Sequence, residues 1–127
     1  MGEIRTFRDL IAWQRGRSLV KEVYALTAQL PSEERFGLCN QMRRSAVSIP
    51  SNIAEGHARG TTPEFIKLLR IARASLAELD TQLVLCVDLG FVADTQAADS
   101  LLAETDRVLQ GLIRRLEAKL GEKSPLQ

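Results

Sequence analysis

A polar cluster between positions 45 and 57 holds the side chains best suited to chemistry. Ser45 and Ser48 carry hydroxyls, Glu55 carries a carboxylate, and His57 is the only histidine of the chain. Serine, histidine and carboxylate are the groups of a hydrolase triad. The sequence has no G-x-S-x-G motif, however, and a single histidine excludes H-E-x-x-H. We therefore predict a protein that is not an enzyme and that uses no metal and no cofactor.

Pro50 lies inside this cluster, within a segment whose apolar residues have helical spacing. The apolar positions are Leu38, Met42, Ala46, Ile49 and Ile53. A proline inside a helix removes the hydrogen bond to the carbonyl four residues earlier, which belongs here to Ala46. We predict a helix bent at Pro50, with the bend supported by a polar network of Ser48, Asn52 and Glu55.

Three short breaks divide the chain into four helical segments. Apolar periodicity predicts helices over about 7–30, 33–58, 63–89 and 95–120, and a frayed tail over 121–127. The predicted N-caps are Thr6 with Asp9 as a capping box, Ser32, Thr62 and Asp94, and the predicted stops are Gly90 and Gly121. Four helices with short links predict an all-α protein: one domain over 1–127, folded as an antiparallel up-down-up-down four-helix bundle.

The third helix is more apolar than a monomeric bundle requires. Its main stripe is Phe65, Leu68, Ala72, Leu76, Leu79, Leu83 and Cys86. Ile66, Ala77 and Val84 fall to one side of this stripe at 100° per residue. Additional apolar flanks predict self-association, with these three residues at an oligomer interface. The alternative is a wide stripe on an ordinary core helix.

Charge is distributed unevenly, although the net charge is only +1. Residues 35–73 carry seven basic and two acidic side chains, whereas residues 74–127 carry five basic and nine acidic ones. The basic excess predicts an anionic partner for the middle segment. The predicted contacts to the RNA or DNA backbone are Arg43, Arg44, Arg59, Lys67, Arg70 and Arg73. The alternative is that opposite charges meet across the fold or between subunits.

Composition limits the compartment and the class of protein. The chain has 127 residues, of which 45% are hydrophobic, so it is long enough for one domain with a buried core. It has no apolar run near the ~20 residues that span a membrane, and its charged N-terminus has no signal-peptide core. We predict a cytoplasmic protein without a membrane partner. Cys39 and Cys86 are predicted to be buried free thiols, the alternative being a disulfide.

Several segments resemble a known protein family when they are taken together in order. They are FRDLIAW, VYALT, LCNQMRRSAVSIPSNIAEGHAR, EFIKLLRIARASLAELDTQL and LGFV, which span residues 7–92. The most specific is RRSAVSIPSNIAEG. The sequence resembles the four-helix-bundle proteins encoded by intervening sequences in bacterial 23S ribosomal RNA genes.

This resemblance implies a homopentamer with a central channel. It also implies a relationship to the accessory protein of diversity-generating retroelements, which binds a reverse transcriptase and nucleic acid. Two functions follow as expectations. The first is a nucleic-acid-binding accessory protein that contacts phosphates through the basic middle segment. The second is a protein-interaction scaffold, for a partner such as a reverse transcriptase, without direct nucleic-acid contact.

Overall fold

Four α-helices make up most of the structure, a computed structural model that describes residues 3–122. They are α1 (Ile11–Thr27), α2 (Leu38–Ala58), α3 (Thr62–Asp88) and α4 (Gln96–Glu122). Helix α1 packs on α2 and α4, and α3 packs on the same two helices. The described residues contain no strand. The all-α prediction is therefore confirmed, and the four helices are arranged as a bundle. Most of the predicted tail, residues 123–127, lies outside the described part of the chain.

The first helix begins later than the periodicity predicts. Thr6 and Asp9 form the predicted capping box, but it caps a short 3₁₀ helix over Phe7–Asp9. Leu10 then takes an extended conformation and is buried, and α1 starts at Ile11. The apolar pattern continues through this break because the 3₁₀ turn packs against the same core as α1.

The second helix also begins later than predicted, at Leu38 instead of Glu33. Ser32–Glu34 form a separate 3₁₀ helix, and Gly37 precedes α2 with ψ −115°. The Ser32 hydroxyl donates to Glu33 Oε1 and does not cap α2. The cap comes from Glu34, whose Oε1 accepts a hydrogen bond from the backbone N–H of Leu38 at 3.1 Å. A side chain outside the helix thus satisfies one of its unpaired N–H groups.

The α2 stripe is the centre of the core. All five of its predicted apolar positions are buried. Met42 Sδ lies 3.3 Å from Cys86 Sγ of α3, and Ser48 Oγ lies 2.8 Å from Ser75 Oγ. Residue numbers rise along α2 while their partners' numbers fall along α3, so the two helices run in opposite directions.

Pro50 lies within α2, which continues as one helix through it. Its ring faces Gly16 of α1. A Cβ built on Gly16 would lie 3.3 Å from Ile49 Cγ2 and 3.5 Å from Pro50 Cδ. The glycine therefore allows α1 to approach α2 closely at the proline. The bend itself stays a prediction.

Candidate functional site

The predicted nucleic-acid residues point toward several different neighbours. Arg43 is half-buried and faces α1, where its Nε donates to Thr27 Oγ1 at 2.9 Å. Its guanidinium lies 4.4 Å from the centre of the Tyr24 ring. A hydrogen bond and a cation–π contact both hold this arginine against its own bundle.

Arg59, Arg70 and Arg73 form ion pairs within the chain, and the last two pair with α4. Arg70 pairs with Glu117 of α4. Arg73 Nε lies 2.8 Å from Asp106 Oδ1, also on α4. The acidic last third of the chain thus supplies partners for the basic middle segment at these two residues. This is the alternative in which opposite charges meet across the fold.

Arg59 joins the end of α2 to the start of α3. It pairs with Glu55 on its own helix and with Glu64 on α3. The hydrogen bond that Arg59 donates to Glu55, together with the negative charge of Glu55, raises the pKa of Arg59 above its ordinary value, and Glu64 adds to the effect. Glu55 therefore bonds to Arg59 and is not part of the observed network of Ser48, Asn52 and Ser75 near Pro50.

Arg44 and Lys67 are exposed, and neither forms an ion pair with any residue in the described part of the chain. Arg44 lines a groove together with Gln82 of α3. Lys67 precedes Gln82 by fifteen residues, which is roughly 22 Å along a helix that rises 1.5 Å per residue. The structure therefore does not gather the six basic residues at one end of the bundle. Their role in nucleic-acid binding stays a prediction.

The polar residues near Pro50 form a smaller network than the sequence predicts. The Asn52 amide donates to the Ser48 carbonyl at 2.8 Å and to the Ser48 hydroxyl at 2.9 Å. Ser48 in turn shares a hydrogen bond with Ser75 of α3. The network joins α2 to α3, and Asn52 bonds to Ser48 instead of the Ala46 carbonyl.

A polar groove of about 340 Å³ lies beside this network, between α2 and α3. Its lining residues are Asn40, Gln41, Arg44, Ser45, Ser48, Ser75, Glu78 and Gln82. Gln82 is buried, and its Oε1 has no hydrogen-bond partner among the described residues. The groove is therefore more polar than the core beneath it.

The groups considered for catalysis do not form a triad. His57 is half-buried and meets the Phe65 ring edge-on, with the ring centres 5.7 Å apart. Ser48 bonds to Ser75 and Asn52, and Glu55 pairs with Arg59. In residues 3–122, no group of three or more His, Cys, Asp or Glu side chains is arranged to hold a metal ion.

The predicted interface residues separate into buried and exposed ones. Ile66 is only 5% exposed and belongs to the core, which corrects its assignment to an exposed flank. Val84 is 54% exposed, and Ala77 is exposed as well. Ile66 and Val84 lie on the same face of α3, because eighteen residues are five full turns. Tertiary packing covers this face at Ile66 and leaves it open at Val84.

Large apolar side chains are exposed at one end of the bundle. They are Phe36, Val84, Leu85, Val87 and Leu89, and we call this set the apolar end. Phe36 precedes α2 and Leu89 follows α3, so the Met42–Cys86 contact places both at the same end. Phe36 is 83% exposed. Exposed apolar surface of this kind marks interaction sites.

The family model of the 23S rRNA-intervening sequence protein matches residues 8–114. The chain belongs to this family. The match confirms the resemblance seen in RRSAVSIPSNIAEG and its neighbouring segments. A comparison with curated proteins finds no match.

This member of the 23S rRNA-intervening sequence protein family has a second groove that sequence reasoning missed. It lies between α1 and α2, has a volume of about 390 Å³, and we call it the α1–α2 groove. Its lining residues are Trp13, Arg17, Val20, Lys21, Val47, Pro50, Ser51 and Ala54. Helices α1 and α2 each contribute residues from the edge of their apolar stripes. The apolar periodicity of either helix alone therefore does not reveal the groove. The sequence feature that could have revealed the groove is Val47, an apolar residue near Pro50 that lies outside the α2 stripe.

The sequence predicts that this family member has no membrane-spanning segment. Within the described part of the chain, the helices are too short or too polar to cross a bilayer.

Proposed function

We propose that this family member is a non-enzymatic scaffold protein that works as a homo-oligomer and holds another protein. The observation that carries the proposal is the apolar end. Its members are 39–83% exposed, although all five belong to residue types that are usually buried. The resemblance of the sequence implies five subunits.

The apolar end can supply part of the free energy that association needs. Burying one Val, Leu or Phe side chain completely contributes about 1.5–3 kcal/mol. These side chains are already partly covered, so five of them contribute less than the sum of the full values. Association costs roughly 4–15 kcal/mol. The apolar end therefore supports part of an interface, and a stable assembly requires a further contact.

The scaffold is a better proposal than nucleic-acid binding because four of the arginines predicted to bind phosphates already have partners within the chain. Arg59, Arg70 and Arg73 are neutralised by carboxylates of their own chain. Arg43 is held by Thr27 and Tyr24. Phosphates bind to Lys and Arg side chains and release the counterions condensed on the nucleic acid, and here they would have to displace these partners first, so the contacts oppose binding. Nucleic-acid binding remains the alternative prediction.

Light scattering after size-exclusion chromatography tests the proposal. The protein should have a mass several times that of the 14.1 kDa chain. Val84→Glu should lower that mass and leave the helical circular-dichroism spectrum unchanged. The matched control is Ile11→Glu, since Ile11 is 55% exposed but lies at the start of α1, away from the apolar end. A monomeric wild-type protein at tens of micromolar would overturn the proposal.

A further inference from the structure

The α1–α2 groove has an apolar floor and a basic edge. The floor is formed by Trp13, Val20, Val47, Pro50 and Ala54. Arg17 and Lys21 line its α1 side, and the Arg17 guanidinium lies 5.7 Å from the centre of the Trp13 ring. None of the described residues that line the groove carries a carboxylate. A segment with an apolar side chain next to an acidic one would match this groove in both polarity and charge.

The segment between α1 and α2 carries such a pair of side chains. Phe36 is 83% exposed, and Glu33, three residues earlier, is also exposed. The guanidinium of its neighbour Arg35 lies 5.2 Å from the Phe36 ring centre. Phe36 is the most exposed large apolar side chain of the described residues.

Backbone hydrogen bonds hold this segment in place. The N–H of Glu34 donates to the Pro31 carbonyl at 2.9 Å, and that of Arg35 donates to the Ser32 carbonyl at 3.1 Å. The N–H of Gly37 donates to the Glu34 carbonyl at 3.1 Å. A preformed segment loses little conformational freedom when it binds, so Phe36 is presented at low entropic cost.

We propose that Phe36 of one copy of this chain inserts into the α1–α2 groove of a second copy, with Glu33 facing Lys21. This inference rests on the proposed function, because it assigns to Phe36 of the apolar end a partner surface, the α1–α2 groove, on a neighbouring copy. The inserting segment and the groove are different surfaces of one chain. The contact is therefore heterologous: each copy inserts into one neighbour and receives another, which produces a ring when the rotation closes.

Single substitutions on the two surfaces should weaken assembly without unfolding the bundle. Phe36→Ala should raise the concentration of half-dissociation about tenfold or more, as expected for a buried aromatic anchor. Ile11→Ala removes an apolar side chain that is 55% exposed elsewhere and should leave this concentration unchanged. Because Phe36 is exposed in the single chain, circular dichroism should show an unchanged fold.

A charge exchange tests the pairing itself. Glu33→Lys and Lys21→Glu should each weaken assembly, and the double variant should restore it. A mixture gives a second test: a chain with Phe36→Ala and a chain with Val47→Glu can form only one intact contact between them. At a concentration below the half-dissociation point of either variant alone, that mixture should yield a species of two chains, whereas each variant by itself is monomeric.

The outcomes separate this inference from the proposed function. If the wild-type protein assembles and Phe36→Ala assembles equally well, the insertion is wrong and the scaffold remains. If the wild-type protein is monomeric, both are wrong. If Lys21→Glu leaves assembly intact but abolishes binding of a labelled single-stranded oligonucleotide, the groove is a nucleic-acid site and the insertion is overturned.

Discussion

Arg73 Nε lies 2.8 Å from Asp106 Oδ1, so a basic residue of α3 is paired with an acidic residue of α4. The sequence shows the two residues as members of oppositely charged segments. The structure shows that the segments meet at this point. An arginine predicted to contact phosphate therefore has a carboxylate partner in its own chain.

The first prediction is that this ion pair contributes little to stability. Arg73 is 45% and Asp106 is 29% exposed, and exposed ion pairs contribute about 0.2–1 kcal/mol. A double-mutant cycle with Arg73→Ala and Asp106→Ala, measured by urea unfolding, should give a coupling energy in that range that falls with added salt. Lys67→Ala with Asp106→Ala is the control and should show no coupling. If Arg73→Ala abolished duplex RNA binding at low salt instead, the arginine would belong to a nucleic-acid surface.

The second prediction concerns two glycines inside helices. A Cβ on Gly56 would lie 2.8 Å from Leu68 Cβ and 3.1 Å from Phe65 Cδ1. Gly56→Ala should therefore destabilise the protein by about 1–3 kcal/mol, because α3 must move away from α2. Gly111 is the matched control in α4, where the nearest atom to a Cβ is Arg115 Nη1 at 3.5 Å. Gly111→Ala should stabilise by about 0.4–1 kcal/mol. Equal effects in urea unfolding would contradict the close contact at Gly56.

The third prediction tests the bend at Pro50. Alanine would supply an N–H group for the Ala46 carbonyl and would remove the ring that faces Gly16. Pro50 also lines the α1–α2 groove, so Pro50→Ala should leave the bundle folded and weaken its assembly in light scattering. A gain in stability with assembly unchanged would mean that the proline has no role in the interface.

The fourth prediction concerns Cys86, which is completely buried beside Met42. Burial raises the pKa of the Cys86 thiol, and negative charge at Cys39 and Glu34 adds to the effect. The folded protein therefore keeps this thiol protonated at a pH where the unfolded chain ionises it. The resulting stability is complete below the ordinary thiol pKa of 9.0 and is lost as the pH rises through the higher folded value.

Thermal unfolding from about pH 8 to about pH 10.5, on either side of the ordinary thiol pKa, measures this effect. The melting temperature of the wild-type protein should fall more steeply above pH 9.0 than that of Cys86→Ala. Parallel slopes for the two proteins would show that the thiol does not titrate differently in the folded and unfolded states.

Local patterns were sufficient for the helices, their central stripe and the family. The spacing of Met42, Ile49 and Ile53 follows the α-helical period, and all three are buried. Thr6 and Asp9 form the predicted capping box because its hydrogen bonds join residues only three positions apart. These features depend on neighbours along the chain, which a sequence displays directly.

Helix starts were less predictable for a related reason. Leu10 is buried although it lies between a 3₁₀ helix and α1, and Glu34 caps α2 from outside that helix. Periodicity records which side of the chain faces the core. It does not show where the helical backbone ends, because a residue outside the helix can still face the core.

The sequence by itself determined an all-α chain of four helices, their apolar stripes and membership of the family. Only the tertiary structure decided which residues on one face are covered, which charges pair and where grooves form. Ile66 and Val84 share a face of α3, yet one is buried and the other exposed. Arg70 pairs with Glu117, forty-seven positions away along the chain. Such relationships depend on where a second helix packs. The apolar periodicity of one helix does not show which part of its surface another helix covers.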